Sequence, residues 1–401
     1  MSSLSLKIDE SFKKFLETFR EGKFTSPLEV PPQIWGSHAW ELIDKKTSEE
    51  IFLQFIKCQI ERAKRTMPEI YKKAYSERGI DAKNIRSLED FWHVPGLVKD
   101  SGVSGVGIRE KVKINPRVML PHDVKTGSYV YKSGGTKGVP TPTFITALDR
   151  EIESNAFRRG FEYEGMKSGD VSLSIYNPAH KGGEEIKEAL VKLGSTFIPR
   201  RTTDNAEDII KTIEDYNVNV LFAVQGPVTE GDRQQKGPGI DLLKLIEVGE
   251  EVLKENIEIL FLGGYRLIPE AINWAESNNI PLVTLLGSCE AIPQATCTNM
   301  GPEDRVCKHN NLHVLNGPHY IEILKQEDGI LVPTKKDEDG ILAYTTVARE
   351  GTIYIRYLPG DSAINLKGFG ECNCGLKSEI ITDVGRMSMP EEVVETGCCI
   401  G

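Results

Sequence analysis

No run of apolar residues in this chain approaches the roughly 20 needed to cross a bilayer. The amino terminus, MSSLSLKIDESFKKFLETFREGKF, lacks the apolar core of a secretion signal and reads as a polar amphipathic helix. These two absences lead us to expect a cytoplasmic protein. An excess of positive charge is also missing. The formal net charge of −10 argues against nucleic acid as a partner and against a basic helix lying on a membrane. Cysteine is sparse, with eight in 401 residues. In a large cytosolic chain this argues against a disulfide framework and points to metal binding or catalysis wherever thiols cluster. Internal repeats and low-complexity segments are absent, as are a Walker loop and a dinucleotide fingerprint.

What is present is an ordinary globular composition, 39% hydrophobic and 27% charged, in a chain long enough for more than one lobe. From about Ser48 to Arg78, Phe52, Phe55, Ile56, Ile60 and Ala63 recur at helical spacing, so residues 1–124 read as a helical N-terminal region. From about Lys125 short apolar runs alternate with amphipathic helices: DVSLSIYNP, VNVLFAVQ, IEILFLGG and IPLVTLLG as strands, with GGEEIKEALVKLG, NAEDIIKTIEDYN and PEAINWAESNN as helices. That βα repetition predicts an α/β core over 125–295, a parallel sheet flanked by helices. HYIEILKQEDGILVPTKKDEDGILAYTTV then reads as strands joined by turns, placing a smaller β-rich region over 296–386. Residues 387–401 form a short tail.

Chemistry concentrates first in YVYKSGGTKGVPTPTFIT, residues 129–146. Glycines let a backbone approach a polyphosphate closely, and N–H groups and hydroxyls donate to its oxygens. Lys137 adds a positive charge. Ser133, Gly134, Gly135, Thr136 and Gly138 are therefore candidate phosphate-binding residues, the alternative being a plain hairpin turn.

This loop resembles the signature loop of acyl-adenylate-forming enzymes, [ST]-S-G-T-[TS]-G-x-P, with Gly134 in place of the usual serine and Lys137 in place of the second hydroxyl residue. Other segments follow in the family's order. YNPAHKGG puts His180 where a histidine stands near the acyl pocket. LFLGGYRL resembles the segment that stacks on adenine, with Gly263, Gly264 and Tyr265, the tyrosine replacing an acid. LLGSCEA resembles Y-G-[ST]-[TS]-E. It makes Gly287, Ser288 and Cys289 nucleotide-side residues, Glu290 the Mg²⁺-side carboxylate and Ala291 a pocket residue. IYIRYLPGDSAINL resembles the stretch whose aspartate, here Asp361, takes the ribose hydroxyls, and ITDVGRM resembles the hinge, with Arg386 as its arginine. SLEDFWHVPGLVKD is similar to the entry segment of the phenylacetate–CoA ligase branch, so the resemblance spans nearly the whole chain. It implies a large adenylate-forming domain that uses ATP and Mg²⁺ to activate a small carboxylic acid.

Cys307 and His313 in VCKHNNLH, with Cys372 and Cys374 in ECNCG, could supply three thiolates and an imidazole, the ligand set of a closed structural Zn²⁺ site. Phenylacetate–CoA ligase-like proteins have a similar cluster. Cys297 and His309 compete as ligands, and unconnected surface thiols are the alternative.

The resemblance also leads us to expect that the usual C-terminal domain, which brings a lysine to the α-phosphate, is missing, since only the tail follows Arg386. The acyl-protein synthetases of bacterial bioluminescence are similar in stopping soon after the hinge and in ending on a G-C-A tail whose cysteine accepts the acyl group. TGCCIG resembles that tail and makes Cys398 a candidate acyl acceptor. A tethered thiol gains effective concentration provided it can reach the site. The expected activity is ATP-dependent formation of an acyl-AMP, then transfer to a thiol: Cys398, CoA or a carrier protein. Lys137, Glu290 and Cys398 would be the catalytic residues. A homodimer is a further expectation. The rival readings are AMP transfer to a cofactor hydroxyl, as in synthetases of adenylylated deazaflavins, and a non-catalytic nucleotide-binding scaffold.

Overall fold

The apolar runs between 171 and 286 are strands buried on both faces. Cover on both faces explains why VLFAV and ILFLG read as continuous apolar stretches, although VSLSI alternates with buried serines. In the computed structural model the described residues are 8–99, 107–132, 140–224, 240–263, 268–287, 295–297, 312–327, 330–372 and 376–386, with only the backbone described at 295–297 and at Arg386. The N-terminal part holds helices α1 (Glu10–Arg20), α2 (Lys45–Thr66), α3 (Lys72–Glu77), α4 (Leu88–Phe91) and α5 (Arg109–Ile114), and a short strand β1 (Leu97–Val98). An antiparallel hairpin follows, β2 (Ser128–Lys132) with β3 (Pro142–Thr146), and then α6 (Ala147–Tyr163).

The α/β part runs β4 (Val171–Ser174), α7 (Lys181–Leu193), β5 (Thr196–Pro199), α8 (Ala206–Tyr216), β6 (Val220–Val224), α9 (Leu242–Asn256), β7 (Ile259–Gly263), α10 (Pro269–Ser277) and β8 (Leu282–Leu286). Strands β5, β4, β6, β7 and β8 are neighbours in that order and all parallel, as the βα repetition predicts. Successive side chains of a strand point to opposite faces. On β6 and β7, Val220, Phe222, Ile259 and Phe261 pack with Phe161, Ile186 and Leu190 of α6 and α7. Leu221, Ala223, Leu260 and Leu262 pack the other way, against Ile209, Ile213, Leu245 and Ala271 of α8 to α10. The Phe222 and Phe261 rings stack with centroids 4.4 Å apart.

Beyond β8 the sheet continues without a break but turns antiparallel, through β9 (Ala295–Cys297) and β10 (Leu312–Val314) to β16 (Glu379–Arg386), β15 (Asp361–Lys367) and β13 (Asp339–Thr346). Strand β14 (Tyr357–Leu358) joins β13 to β1, and β11 (His319–Glu327) pairs with both β12 (Ile330–Pro333) and β13. The β-rich region is thus hydrogen-bonded into the same sheet as the parallel strands. Its core is shared with the N-terminal helices: Phe12, Phe15, Trp35, Trp40, Phe55 and Ile60 lie in one hydrophobic cluster with Leu324, Leu342, Tyr344, Tyr354 and Tyr357.

Candidate active site

Because β4, β6, β7 and β8 run in the same direction, their carboxyl ends, Ser174, Val224, Gly263 and Leu286, lie along one edge of the sheet. In open α/β sheets this edge is where ligands bind. Three of the segments singled out from sequence leave the sheet here: YNPAHKGG after β4, GGYRL at the end of β7 and GSCEA after β8. His180 is the N-cap of α7, and its Nδ1 accepts from the Gly182 amide at 3.3 Å. The cap makes it an exposed residue at the mouth of that edge.

Gly263 is placed by packing as well as by its position at the strand end. A β-carbon there would lie 2.6 Å from the Tyr176 hydroxyl and 3.0 Å from the Leu285 carbonyl. Tyr176 follows β4, so its side chain reaches past the end of β6 to meet β7. It joins two of the predicted segments, and burial pushes its hydroxyl pKa upward. Gly287 is exposed directly after β8. Gly264, Tyr265, Ser288, Cys289, Glu290 and Ala291 lie outside the described residues.

The phosphate-loop segment joins the two strands of the β2–β3 hairpin, whose register runs from Ser128 opposite Thr146 to Lys132 opposite Pro142. Ser133, Gly134, Gly135, Thr136, Lys137 and Gly138 themselves lie outside the described residues, as does Cys398. The hairpin is anchored on its β3 side. Thr146 caps α6, and Asp149 accepts from the amides of Thr146 at 2.9 Å, Glu350 at 2.6 Å and Gly351 at 2.9 Å.

Asp361 and Arg386 are brought together. They are opposite residues of β15 and β16, at the start of one strand and the end of the other. Asp361 is 8% exposed, and the preceding Gly360 has φ +92°, a left-handed turn that a side chain would strain. The two strands are separated from β8 by β10 and β9.

Of the four expected zinc ligands, His313 and Cys372 are described, and both are buried. His313 sits opposite Ile380, and Cys372 packs in a small cluster with the same Ile380. The His313 Nδ1 is 2.8 Å from the Ser378 hydroxyl. Cys307, Cys374 and His309 lie outside the described residues, as does the side chain of Cys297. Among the described residues no group of three or more His, Cys, Asp and Glu side chains could hold a metal ion.

A buried charge cluster next to His180 was not foreseen from the sequence. The Lys181 ammonium lies 3.3 Å from both Glu153 and Glu185, and Arg349 pairs with Glu153. His319 Nε2 is 3.3 Å from Glu153 and 3.1 Å from Arg349. Two cations facing Glu153 hold its carboxyl well below the usual range despite burial, whereas burial pushes Glu185 well above it, so the proton of this acid pair sits on Glu185. Desolvation pushes His319 down to about 4, so it is neutral. The one local signal was the i,i+4 spacing of Lys181 and Glu185 on α7; the other members come from three distant segments.

No family model matches the chain. In sequence it is 23% identical over 209 residues to a phenylacetate–coenzyme A ligase of Aromatoleum evansii, a match covering 50% of this chain and 44% of that one. It is 22% identical over 328 residues to the phenylacetate–coenzyme A ligase of Thermus thermophilus, covering 79% of this chain and 66% of that one. The chain therefore spans from under half to about two thirds of the length of these curated relatives. In structure it is similar to 2-hydroxyisobutyryl-CoA ligase in complex with 2-HIB-AMP and CoA, with a TM-score of 0.71 at 17% identity over 88% of this chain and 70% of that one. An open conformation of the same ligase superposes with a TM-score of 0.70. The chain has the fold of the acyl-adenylate-forming enzymes. In sequence it is similar to the phenylacetate–coenzyme A ligases. No helix among the described residues is long and apolar enough to cross a membrane.

Proposed function

We propose that the protein activates a small carboxylic acid with ATP and passes the acyl group to a thiol. The observation that supports this reading is that β4, β7 and β8, the strands that YNPAHKGG, GGYRL and GSCEA follow in sequence, are parallel and end on one edge of the sheet, in a fold shared with an acid–CoA ligase. The acid's carboxylate attacks the α-phosphorus of ATP, pyrophosphate leaves, and a thiolate then displaces AMP from the mixed anhydride. Backbone amides of Ser133 to Gly138 and the Lys137 ammonium receive the phosphates. Asp361 holds the ribose, with Arg386 beside it, and the residues around His180, Gly263 and Ala291 receive the acid. A Mg²⁺ ion held on the Glu290 side would neutralise phosphate charge. CoA is the thiol that the relatives' names favour; a carrier protein and Cys398 are the other acceptors in this reading.

The test is pyrophosphate release from Mg·ATP with a panel of acids that includes phenylacetate. Release with at least one acid is expected, and Asp361→Ala should weaken ATP binding at least about tenfold, since charge-assisted hydrogen bonds worth about 1.5–3 kcal/mol each are lost. No release with any acid, or unchanged ATP affinity in the variant, rejects the assignment. Acyl-CoA as the product, against acyl groups on the protein itself, separates the thiol acceptors.

We further infer a structural Zn²⁺ on Cys307, His313, Cys372 and Cys374, supported by the burial of His313 and Cys372 beside the same Ile380. Protein purified without chelator should contain one zinc per chain by elemental analysis; a zinc-free protein rejects the site.

A further inference from the structure

The hairpin that carries the phosphate-loop segment has one strand in the core and one at the surface. Every residue of β3 is buried, whereas β2 exposes Tyr129 and Val130 at about half their surface. A two-stranded ribbon with one solvated strand is marginal on its own. Something must fix β2, because the loop begins where it ends. Among the described residues, Arg150 meets it. The Arg150 guanidinium, from the first turn of α6, lies over the Tyr129 ring with its carbon 4.3 Å from the ring centroid. Tyr131 stacks alongside Tyr129, centroids 6.5 Å apart and planes 21° from parallel. The other face of the contact is ionic. Arg150 Nη2 is 2.9 Å from Glu184 Oε2 and also pairs with Glu188, both on α7. Glu184 is further held by Lys187 at 3.0 Å. The Arg150 side chain is only 14% exposed, so both contacts are partly desolvated.

We propose that Arg150 is a positioning residue for the phosphate hairpin. Its planar guanidinium stacks on β2 through Tyr129 while its edge is fixed by two carboxylates of α7, the helix that His180 caps. A lysine could keep the charge but not the stacking and fork geometry together. The proposal rests on the reading of residues 133–138 as phosphate-binding. It requires Arg150 to act on groups that the β- and γ-phosphates contact, and not on the ribose side around Asp361.

The experiment compares calorimetric binding of Mg·ATP and of AMP to the full chain and to Arg150→Lys, Arg150→Gln and Tyr129→Leu, with thermal melts as a folding control. For the two arginine variants and Tyr129→Leu we expect Mg·ATP affinity to fall about five- to tenfold while AMP affinity stays within about twofold. The double variant Arg150→Gln/Tyr129→Leu should lose no more than the worse single one, because both remove the same contact. A merely structural arginine would lower the melting temperature and leave the ATP-to-AMP ratio unchanged, and that result overturns the proposal. Equal losses for both nucleotides, or additive losses in the double variant, overturn it as well. A wild type that binds AMP but not Mg·ATP more tightly ends the phosphate-loop reading itself, and this proposal with it. A wild type that prefers Mg·ATP, with unaffected Arg150 variants, ends only the proposal.

Discussion

The two halves of the molecule are held by different forces. Around the parallel strands the packing is dominated by aliphatic and aromatic clusters, and on the α8–α9 side the ion pairs Lys211–Asp215, Lys244–Glu247 and Lys254–Glu250 are at the surface. Where the N-terminal helices meet the β-rich region, three arginines are buried almost completely: Arg159, Arg349 and Arg356. Each joins segments far apart in the chain. Arg159 pairs with Glu41 at 3.3 Å and donates to the Trp35 carbonyl at 3.0 Å. Arg356 donates to Glu322 at 3.2 Å and to the carbonyls of Trp92, Val94 and Leu331. A layer built from consecutive βα units meets its neighbours automatically and needs only apolar faces. An interface between the two ends of the chain must instead be specified, and a five-donor side chain with fixed geometry specifies it at the cost of desolvation.

The largest effect should therefore come from breaking one of these arginines. Arg356→Leu leaves the buried Glu322 carboxylate and three carbonyls without their donor, and urea unfolding should show a loss of about 3–5 kcal/mol. Arg356 also has φ +45°, so the backbone strain there would persist without the bonds that offset it. The double variant Arg356→Met with Glu322→Leu should recover much of the loss, because it removes both charges together. A single variant that loses under about 1 kcal/mol would mean the two halves are held alike.

The same division explains what could be read in advance. Strands β4, β6, β7 and β8 and helices α7, α8 and α10 were legible because their evidence is local: apolar runs of strand length and amphipathic periods. The hairpin strands β11 and β13 were legible for the same reason. That Phe12 and Tyr354 share a core was not, because nothing within a window around either residue refers to the other. Among candidate site residues, Asp361, Gly263 and His180 were singled out through short segments that resemble the family's, whereas Tyr176 was passed over inside one of those segments. Its role depends on reaching two strands away. Nothing in the sequence near Arg150 refers to Glu184 and Glu188; the fold brings them together by setting α6 against α7.

A smaller effect should appear in the pH dependence of the cluster beside His180, which sits between the two halves. Glu185 has a folded pKa raised well above its ordinary 4.5 by burial. The fold prefers its protonated form, so the stability it contributes is fully present below about 4.5 and is lost as pH rises toward the raised value. His319 acts in the opposite sense. Its pKa is lowered from 6.5 to about 4, so its contribution is present above 6.5 and lost as pH falls through 4. Glu185→Gln mimics the protonated acid and should flatten only the alkaline loss. Its stability relative to wild type should climb as pH rises from 5 toward the raised Glu185 pKa in urea titrations. A constant difference across that range would show that Glu185 is ionised in the fold and that Glu153 does not take the shared charge.

The smallest effect should come from the surface of the parallel half. Lys211 reaches Asp215 at 2.9 Å along α8, with both side chains about half exposed or more. The hydrogen bond raises the lysine pKa, yet water and salt screen the pair, and ordering two long side chains offsets most of what attraction remains. Lys211→Ala also replaces lysine with the best helix former, which works in the opposite direction. The melting temperature of Lys211→Ala should thus match wild type within the scatter of replicate scans, at low salt and at high salt alike. A clear drop at low salt that disappears at high salt would place a working ion pair on the half of the molecule that otherwise holds together through apolar layers. The contrast with Arg356 would then be one of degree, set by burial alone.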